Sequence, residues 1–158
     1  MNTIQTALMM TSLLIVLNSA ETFRQDARHI SIKTEDINKK TQNDSSMKFL
    51  MHHLNSFTNN DLEAIVTDYT DESVLITPAA TYTGLKEIKA FFAELVKYFP
   101  KHKTIFELDK TVIENDMIYI IWHAKSPSAN VAFGTDTFVI KDGKIHQQTY
   151  AAQLQFIK

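Results

Sequence analysis

The stretch that decides the fold is NSFTNNDLEAIVTDYTDESVLITPAATYTGLKEIKAFF, residues 55–92. Its Asn and Asp residues predict a turn, which leads into a short helix over 61–67. The apolar run 73–78 then predicts a short strand that ends at its proline. Gly84 opens a further helix, which stops at Pro100. The apolar side chains of that helix recur at helical spacing: Leu85, Ile88, Phe91, Phe92 and Leu95.

Upstream of this stretch, another helix is predicted from about Ser46, because five apolar residues recur at helical spacing. They are Met47, Leu50, Met51, Leu54 and Phe57. Residues 21–45 are polar and poor in large apolar groups, so they cannot bury enough surface to offset their ordering entropy. We therefore assign 21–45 to a linker or loosely attached arm, and 46–158 to the folded domain.

Downstream, four segments with short turns between them predict strands: 103–115, 116–126, 130–141 and 144–157. The turn Lys141-Asp142-Gly143 is typical of a hairpin. Helices first and an antiparallel meander last indicate an α+β fold. A strongly curved sheet wrapped over helices leaves a hollow, and hollows of this kind hold ligands.

The composition fits one soluble globular domain and argues against several functions. The 158 residues are enough to bury a core, and 44% of them are hydrophobic. A net charge of −2 gives no electrostatic reason to expect nucleic acid or an anionic membrane as a partner. The chain has no cysteine, which excludes disulfides and thiol catalysis. Its histidines lack ligand spacing, so we expect no metal and no other cofactor.

The N-terminal segment 1–20 resembles a secretory signal peptide. It contains no charged side chain, and its apolar run ends before the small residues Ser19 and Ala20. This pattern predicts cleavage after Ala20 and a secreted or periplasmic protein, with no stable membrane insertion afterwards. The segment has no Lys or Arg at its start, so an uncleaved anchor or a buried N-terminal helix stays open. If the segment is not a signal, a cytoplasmic location is expected.

One carboxylate falls in an unexpected place in the predicted sheet. In AFGTDTFVIKDGKI, residues 132–145, Asp136 is in phase with Phe138 and Ile140, so its side chain is predicted to face the core. Burial disfavours the charged form of a carboxyl group, so we expect the pKa of Asp136 to rise. The alternative is that Asp136 caps a loop, or pairs with a lysine in water.

Residues 55–92 and the closing hairpin GTDTFVIKDGKIHQQTYAAQ resemble the SnoaL-like family of the nuclear transport factor 2-like superfamily. The likeness covers roughly residues 47–155. It implies a cone-shaped α+β barrel, with three N-terminal helices packed on a curved antiparallel sheet, and a homodimer. It does not fix the reaction, because the superfamily includes steroid isomerases, polyketide cyclases, dehydratases, epoxide hydrolases and non-catalytic modules.

The resemblance also implies site residues. In steroid isomerases of this fold, an acid on the strand before the last hairpin turn helps to stabilise an enolate oxygen, and Asp136 occupies its place. A tyrosine on the first helix is the second donor, and here His53 occupies that place. Thr77 replaces the isomerase base, so the usual steroid isomerase route is not expected. The Asp-Arg-Asp set of epoxide hydrolases is missing from the domain, because Arg24 and Arg28 in the arm are the only arginines.

Two hypotheses follow. In the first, an apolar pocket binds a small apolar, cyclic or carbonyl-bearing molecule, and Asp136 as a neutral donor or acid works with His53 in isomerase, cyclase or dehydratase chemistry. Four further residues are expected to line the pocket: Thr77, Tyr82, Trp122 and Tyr150. In the second, the domain is a non-catalytic module that carries a ligand or dimerises through its sheet. His53 is then an ordinary helix histidine near the core, and Trp122 is a core residue.

Overall fold

The computed structural model describes residues 37–157. The predicted signal peptide, 1–20, and most of the predicted arm lie outside the described residues. The chain divides into two compact units, Met1–Thr41 and Gln42–Lys158. Residues 37–41 of the first unit are helical. None of the helices within the described range is long and apolar enough to cross a membrane.

The described part of the second unit contains three α-helices and six strands. Its first helix, α1, covers 42–58, so residues 42–45 are helical where the sequence predicted an arm. The other helices are α2, Leu62–Val66, and α3, Gly84–Leu95, which continues as a 3-10 turn over Val96–Tyr98. The strands are β1 Val74–Ile76, β2 Thr81–Thr83, β3 Ile105–Glu114, β4 Met117–Lys125, β5 Ala129–Lys141 and β6 Lys144–Phe156.

The six strands form one sheet in the order β2-β1-β6-β5-β4-β3. β1 pairs parallel with β6, and the other neighbouring strands pair antiparallel. The register shifts within the β3–β4, β4–β5 and β5–β6 pairs. Such bulges bend a strand and increase its twist, which accounts for the curvature of the sheet. The predicted α+β fold, with helices packed on a curved sheet, is confirmed.

The core lies between the helices and one face of the sheet. Along β4, every second residue is buried, as alternation requires: Ile118, Ile120, Trp122 and Ala124. They belong to one cluster with buried residues of the helices, among them Leu50, Leu54, Ile88 and Phe92. The hydrophobic effect therefore holds the helices on this face.

The buried face of α1 differs from the predicted one. It runs through Leu50, His53, Leu54 and Phe57. This spacing of three and four residues places all of them on one side of a helix. Met47 and Met51, which the sequence assigned to this face, are 39% and 43% exposed. That assignment was wrong, because the imidazole of His53 takes the inward position.

Candidate active site

A small cavity lies between α1, α3 and the sheet, and we call it the inner cavity. Its volume is about 40 Å³. Most of its wall consists of Phe and Leu side chains from the helices and the strands. Its polar groups come from His53, Trp122, Asp136, Gln148 and Tyr150. The structure therefore brings the predicted pair, His53 and Asp136, to one cavity.

Asp136 is buried in the middle of β5, and both of its carboxylate oxygens accept hydrogen bonds. The indole Nε1 of Trp122 donates to Oδ2 over 2.7 Å, and the amide Nε2 of Gln148 donates to Oδ1 over 2.8 Å. Asp136 pairs with Ile120 on β4 and with Tyr150 on β6. Trp122 and Gln148 lie two residues from those partners, so alternation places both on the face of Asp136.

Burial raises the pKa of Asp136 from 3.8 to about 6. The hydrogen bonds from Gln148 and Trp122 and the nearby His53 lower this pKa and offset part of the effect of burial. The rise has the direction that the sequence predicted. A pKa of about 6 nevertheless leaves most of Asp136 ionised at pH 7, so the predicted neutral form dominates only at lower pH.

Gln148 connects Asp136 to a buried tyrosine. The hydroxyl of Tyr69 donates to Oε1 of Gln148, which turns the amide group so that its NH2 faces Asp136. Burial raises the pKa of Tyr69 well above 10.0, and the charges of Asp136 and Asp68 raise it further. Tyr69 therefore stays neutral, and its hydroxyl remains the donor of the hydrogen bond to Gln148. The sequence did not single out Gln148 or Tyr69.

His53 is held by a carboxylate that the sequence analysis missed. Its Nδ1 lies 2.8 Å from Oδ2 of Asp68, and both side chains are buried. The rings of Tyr69, Phe92 and Phe138 contact the imidazole edge-on, at centroid distances of 5.4 to 5.9 Å. Because an ionised carboxylate only accepts hydrogen bonds, Nδ1 carries a proton and Nε2 is the ring nitrogen left for a ligand.

His52 binds the other oxygen of the same carboxylate. Its Nδ1 lies 3.1 Å from Oδ1 of Asp68, and its side chain is 54% exposed. Asp68 is thus shared by a solvent-facing and a buried histidine. No local pattern indicates the contact with Asp68, since 15 residues separate His53 from it.

Two of the four further predicted residues line the inner cavity. Trp122 and Tyr150 lie in its wall, with ring centroids 6.3 Å apart. Burial raises the pKa of Tyr150 to about 12, and the charge of Asp136 contributes, so its hydroxyl stays a donor at neutral pH. Thr77 lies elsewhere, because its hydroxyl is bonded into the turn before β2, accepting from Ala80 N over 3.0 Å.

Tyr82 lines a second, larger pocket, which is open to solvent and which we call the outer cavity. This cavity has a volume of about 400 Å³. It is formed by residues of β2, α3, the 3-10 turn and β6. Phe91 and Leu95 of α3 line both cavities. Tyr82 is therefore separated from the inner cavity by the wall that these two side chains form.

Within 37–157, no group of three or more His, Cys, Asp or Glu side chains could hold a metal ion. The chemistry available to the described residues is that of a histidine, a carboxyl group and a phenol around an apolar space. These groups can donate, accept or move protons.

Comparison with known proteins agrees with this architecture. A family profile described as a SnoaL-like domain matches residues 51–148. A sequence search of curated proteins finds no significant match.

Solved structures with the same fold carry names that point to different reactions. A candidate polyketide cyclase from Sinorhizobium meliloti is 17% identical, with a TM-score of 0.55 over 65% of this chain and 93% of that chain. A candidate ketosteroid isomerase from Kribbella flavida is 9% identical, with a TM-score of 0.59 over 73% and 82%. An epoxide hydrolase from M. tuberculosis is 12% identical, with a TM-score of 0.54 over 69% and 83%. At these identities the likeness shows the fold alone.

Proposed function

Because the chain belongs to the SnoaL-like domain family, we propose that it moves protons on a small carbonyl-bearing molecule whose carbonyl end enters the inner cavity. The reaction would be an isomerisation, a cyclisation or a dehydration. One observation carries the proposal: His53, oriented by Asp68 over 2.8 Å, and the buried Asp136 line the same apolar cavity. Ionisable groups that burial perturbs and that meet in a cleft are enriched at catalytic sites.

His53 is the first acid–base group of this proposal. With Nδ1 bonded to Asp68, its Nε2 can take a proton from a carbon next to a carbonyl group. The negative charge of Asp68 then stabilises the imidazolium that forms. The surrounding aromatic rings fix the position of the imidazole, so little ordering remains for the reaction step.

Asp136 is the second group. A carboxyl group with a pKa of about 6 exchanges protons near neutral pH more readily than an ordinary aspartic acid. In its protonated form Asp136 can donate a proton at another carbon or oxygen, which isomerisation and dehydration both require. The carboxylate that remains then takes up a proton again, and His53 releases the one that it accepted. The hydroxyl of Tyr150 is available to donate a hydrogen bond to the ligand oxygen on which charge develops.

The alternative function is non-catalytic binding or assembly. It is favoured by Thr77, which stands where the isomerases of this fold have their base and which lies outside both cavities. In that case the inner cavity would hold an apolar guest without changing it. The two functions differ in whether His53 and Asp136 affect a reaction or only the affinity for a ligand.

The test is proton exchange between small ketones and D2O. We expect the protein to accelerate deuterium incorporation next to the carbonyl group of cyclohexanone or cyclopentanone, followed by NMR. His53→Gln and Asp136→Asn should each reduce the accelerated rate by about 100-fold or more, the usual range for a lost acid or base. His102→Asn is the control, because His102 is exposed and has a φ of 63°, which Asn tolerates. A rate no higher than in protein-free buffer would contradict catalysis and favour the non-catalytic function.

The location of the protein and its oligomeric state are also part of the proposal. The uncharged segment 1–20 supports export, and the resemblance to the family supports a homodimer. Mass spectrometry of the N-terminus of the mature protein tests whether the segment is cleaved. Light scattering of the purified protein tests whether it is a homodimer.

A further inference from the structure

The outer cavity is ten times larger than the inner one and has no role in the proton chemistry. We infer that it binds the elongated apolar part of the ligand, while the oxygen-bearing end of the same molecule reaches His53 and Asp136. This inference rests on the proposed function only for the chemistry of that end. It adds a substrate class: uncharged molecules with a compact carbonyl end and an extended hydrocarbon body.

The size of the two cavities supports this division. The inner cavity, at about 40 Å³, has room for only a small group. The outer cavity, at about 400 Å³, falls within the range of small-molecule sites, roughly 300 to 1,000 Å³. The inner cavity has the reactive groups but too little space for a whole ligand, and the outer cavity has the space but no reactive groups. A ligand that spans the two cavities can use the space of one and the reactive groups of the other.

The wall between the cavities is thin. It consists of Phe91 and Leu95, which line both spaces and are only partly buried. Both are apolar side chains, whose rotation leaves no polar group unpaired. A change of rotamer at these two positions would join the cavities, and such changes are common at binding sites.

A row of aromatic rings connects the two spaces. The ring of Tyr82, in the outer cavity, lies 5.0 Å from that of Phe91. Phe91 in turn lies 5.7 Å from Tyr150, in the inner cavity. An apolar ligand that follows this row keeps contact with ring surfaces along its length, which favours hydrocarbon over polar groups.

The charges around the outer cavity argue for an uncharged ligand. Its one ionisable carboxylate is Glu94, which pairs with Lys97 over 2.6 Å. Its other polar atoms are the hydroxyls of Tyr82 and Tyr98. None of the described residues that line this cavity is cationic, and Lys97 beside it already pairs with Glu94, so a fatty-acid carboxylate would have to compete with Glu94 for that lysine. A ketone or aldehyde avoids this competition.

The experiment is a titration with 2-alkanones from 2-butanone to 2-decanone, followed by NMR. The chain contains a single tryptophan, so the indole N–H resonance of Trp122 reports on the inner cavity alone. The methyl resonances of Leu154 report on the outer cavity. We expect every ketone to shift the Trp122 resonance, and only the longer ketones to shift Leu154. Affinity should rise about three- to fourfold for each added CH2 group until the outer cavity is full.

A matched pair of variants on α3 completes the test. Ala90→Phe fills the outer cavity and should remove most of the gain in affinity between 2-butanone and 2-decanone, with binding of 2-butanone unchanged. Lys86→Phe adds the same ring at an exposed position of the same helix that lines neither cavity, and should leave the gain intact.

Three results would overturn the inference: affinity that does not depend on chain length, a shift of Trp122 without Leu154 for the long ketones, or an equal effect of the two variants. Long ketones that bind as expected but show no proton exchange would leave the inference standing and contradict the proposed catalysis. The two claims can therefore fail separately.

Discussion

Asp136 is a carboxyl group on which burial and hydrogen bonding act in opposite directions. Burial favours its neutral form, whereas the N–H groups of Trp122 and Gln148 favour its ionised form. Burial has the larger effect, so the folded protein binds the Asp136 proton more tightly than the unfolded chain does. This difference makes the stability of the protein depend on pH in a way that one substitution can isolate.

We predict that Asp136→Asn changes the pH dependence of stability. The unfolded chain ionises Asp136 near pH 3.8, but the folded protein does so only near 6. The free energy of unfolding of the wild type should therefore fall, relative to the variant, as the pH rises through this window. The relative loss should reach roughly 2 to 3 kcal/mol above pH 6 and vanish below 3.8. Urea unfolding of both proteins between pH 3.5 and 8 measures this relative loss. Free energies of unfolding that change in parallel with pH in the two proteins would contradict the prediction.

A second residue-scale prediction concerns Asp68, which binds both histidines. Asp68→Asn should lower the free energy of unfolding by about 1 to 3 kcal/mol, because a buried charge-assisted hydrogen bond is lost. The variant should also lose the preference of neutral His53 for protonation at Nδ1, which we expect ¹⁵N NMR to detect in the wild type. Asp71→Asn is the control, since Asp71 is exposed on the following turn. A Nε2-protonated His53 in the wild type would contradict the assigned role of Asp68.

Sequence patterns could indicate Asp136 but not its partners. Strand alternation alone places Asp136 among inward side chains, and the family resemblance supplies His53. Asp68 and Gln148 contact the pair from other elements: Asp68 lies 15 positions after His53, and Gln148 lies 12 positions after Asp136 on the neighbouring strand. No pattern in the neighbouring sequence identifies Asp68 or Gln148 as a site residue. Their roles depend on how the helices and the sheet pack.

At the scale of elements, the bend between β4 and β5 positions Trp122 against Asp136. Trp122 pairs with Gly134, and register shifts follow on both strands next to this pair. A Cβ atom at position 134 would lie well inside van der Waals contact of the indole ring. Gly134 therefore lets the ring lie flat over the strand, where its N–H reaches the carboxylate.

We predict that Gly134→Ala displaces the Trp122 ring and destabilises the fold by about 1 to 3 kcal/mol, the usual cost of overpacking. The indole N–H resonance should move, since the hydrogen bond to Asp136 is disturbed. Gly143→Ala is the control: position 143 has a φ of 71° but open space around its Cβ. It should destabilise the hairpin through its backbone and leave the Trp122 resonance in place. A shift of that resonance in both variants, or in neither, would contradict the contact.

The sequence predicted short elements as well as long ones, α2 and β1 included, but it missed β2. Over the 13 residues of β5, side chains of the two faces alternate often enough to show a pattern. β2 has three residues and only its pairing with β1 makes it a strand. On α1, the predicted residues Leu50, Leu54 and Phe57 are buried, but Met47 and Met51 are exposed. Apolar spacing cannot identify a buried polar residue.

At the scale of the whole molecule, the inner cavity lies between the curved sheet and the helices, and the outer cavity opens to solvent beside it. The order of elements and the match to a SnoaL-like domain were sufficient to predict this architecture. They were insufficient to predict its reaction, because the same fold is found in structures named as cyclases, isomerases and hydrolases. The distinguishing features are side chains at the inner cavity: an imidazole tied to Asp68, and a carboxyl group bonded to Trp122 and Gln148.

The central claim is that Asp136 is a buried acid, poised near neutral pH beside His53. The indole N–H resonance of Trp122, followed by NMR from pH 3 to 8, tests it most directly, because its hydrogen bond reports the ionisation of Asp136. We expect a transition with a midpoint at about 6, which disappears in Asp136→Asn and persists in His53→Gln. A midpoint near 3.8, the ordinary value for an aspartic acid, would contradict it.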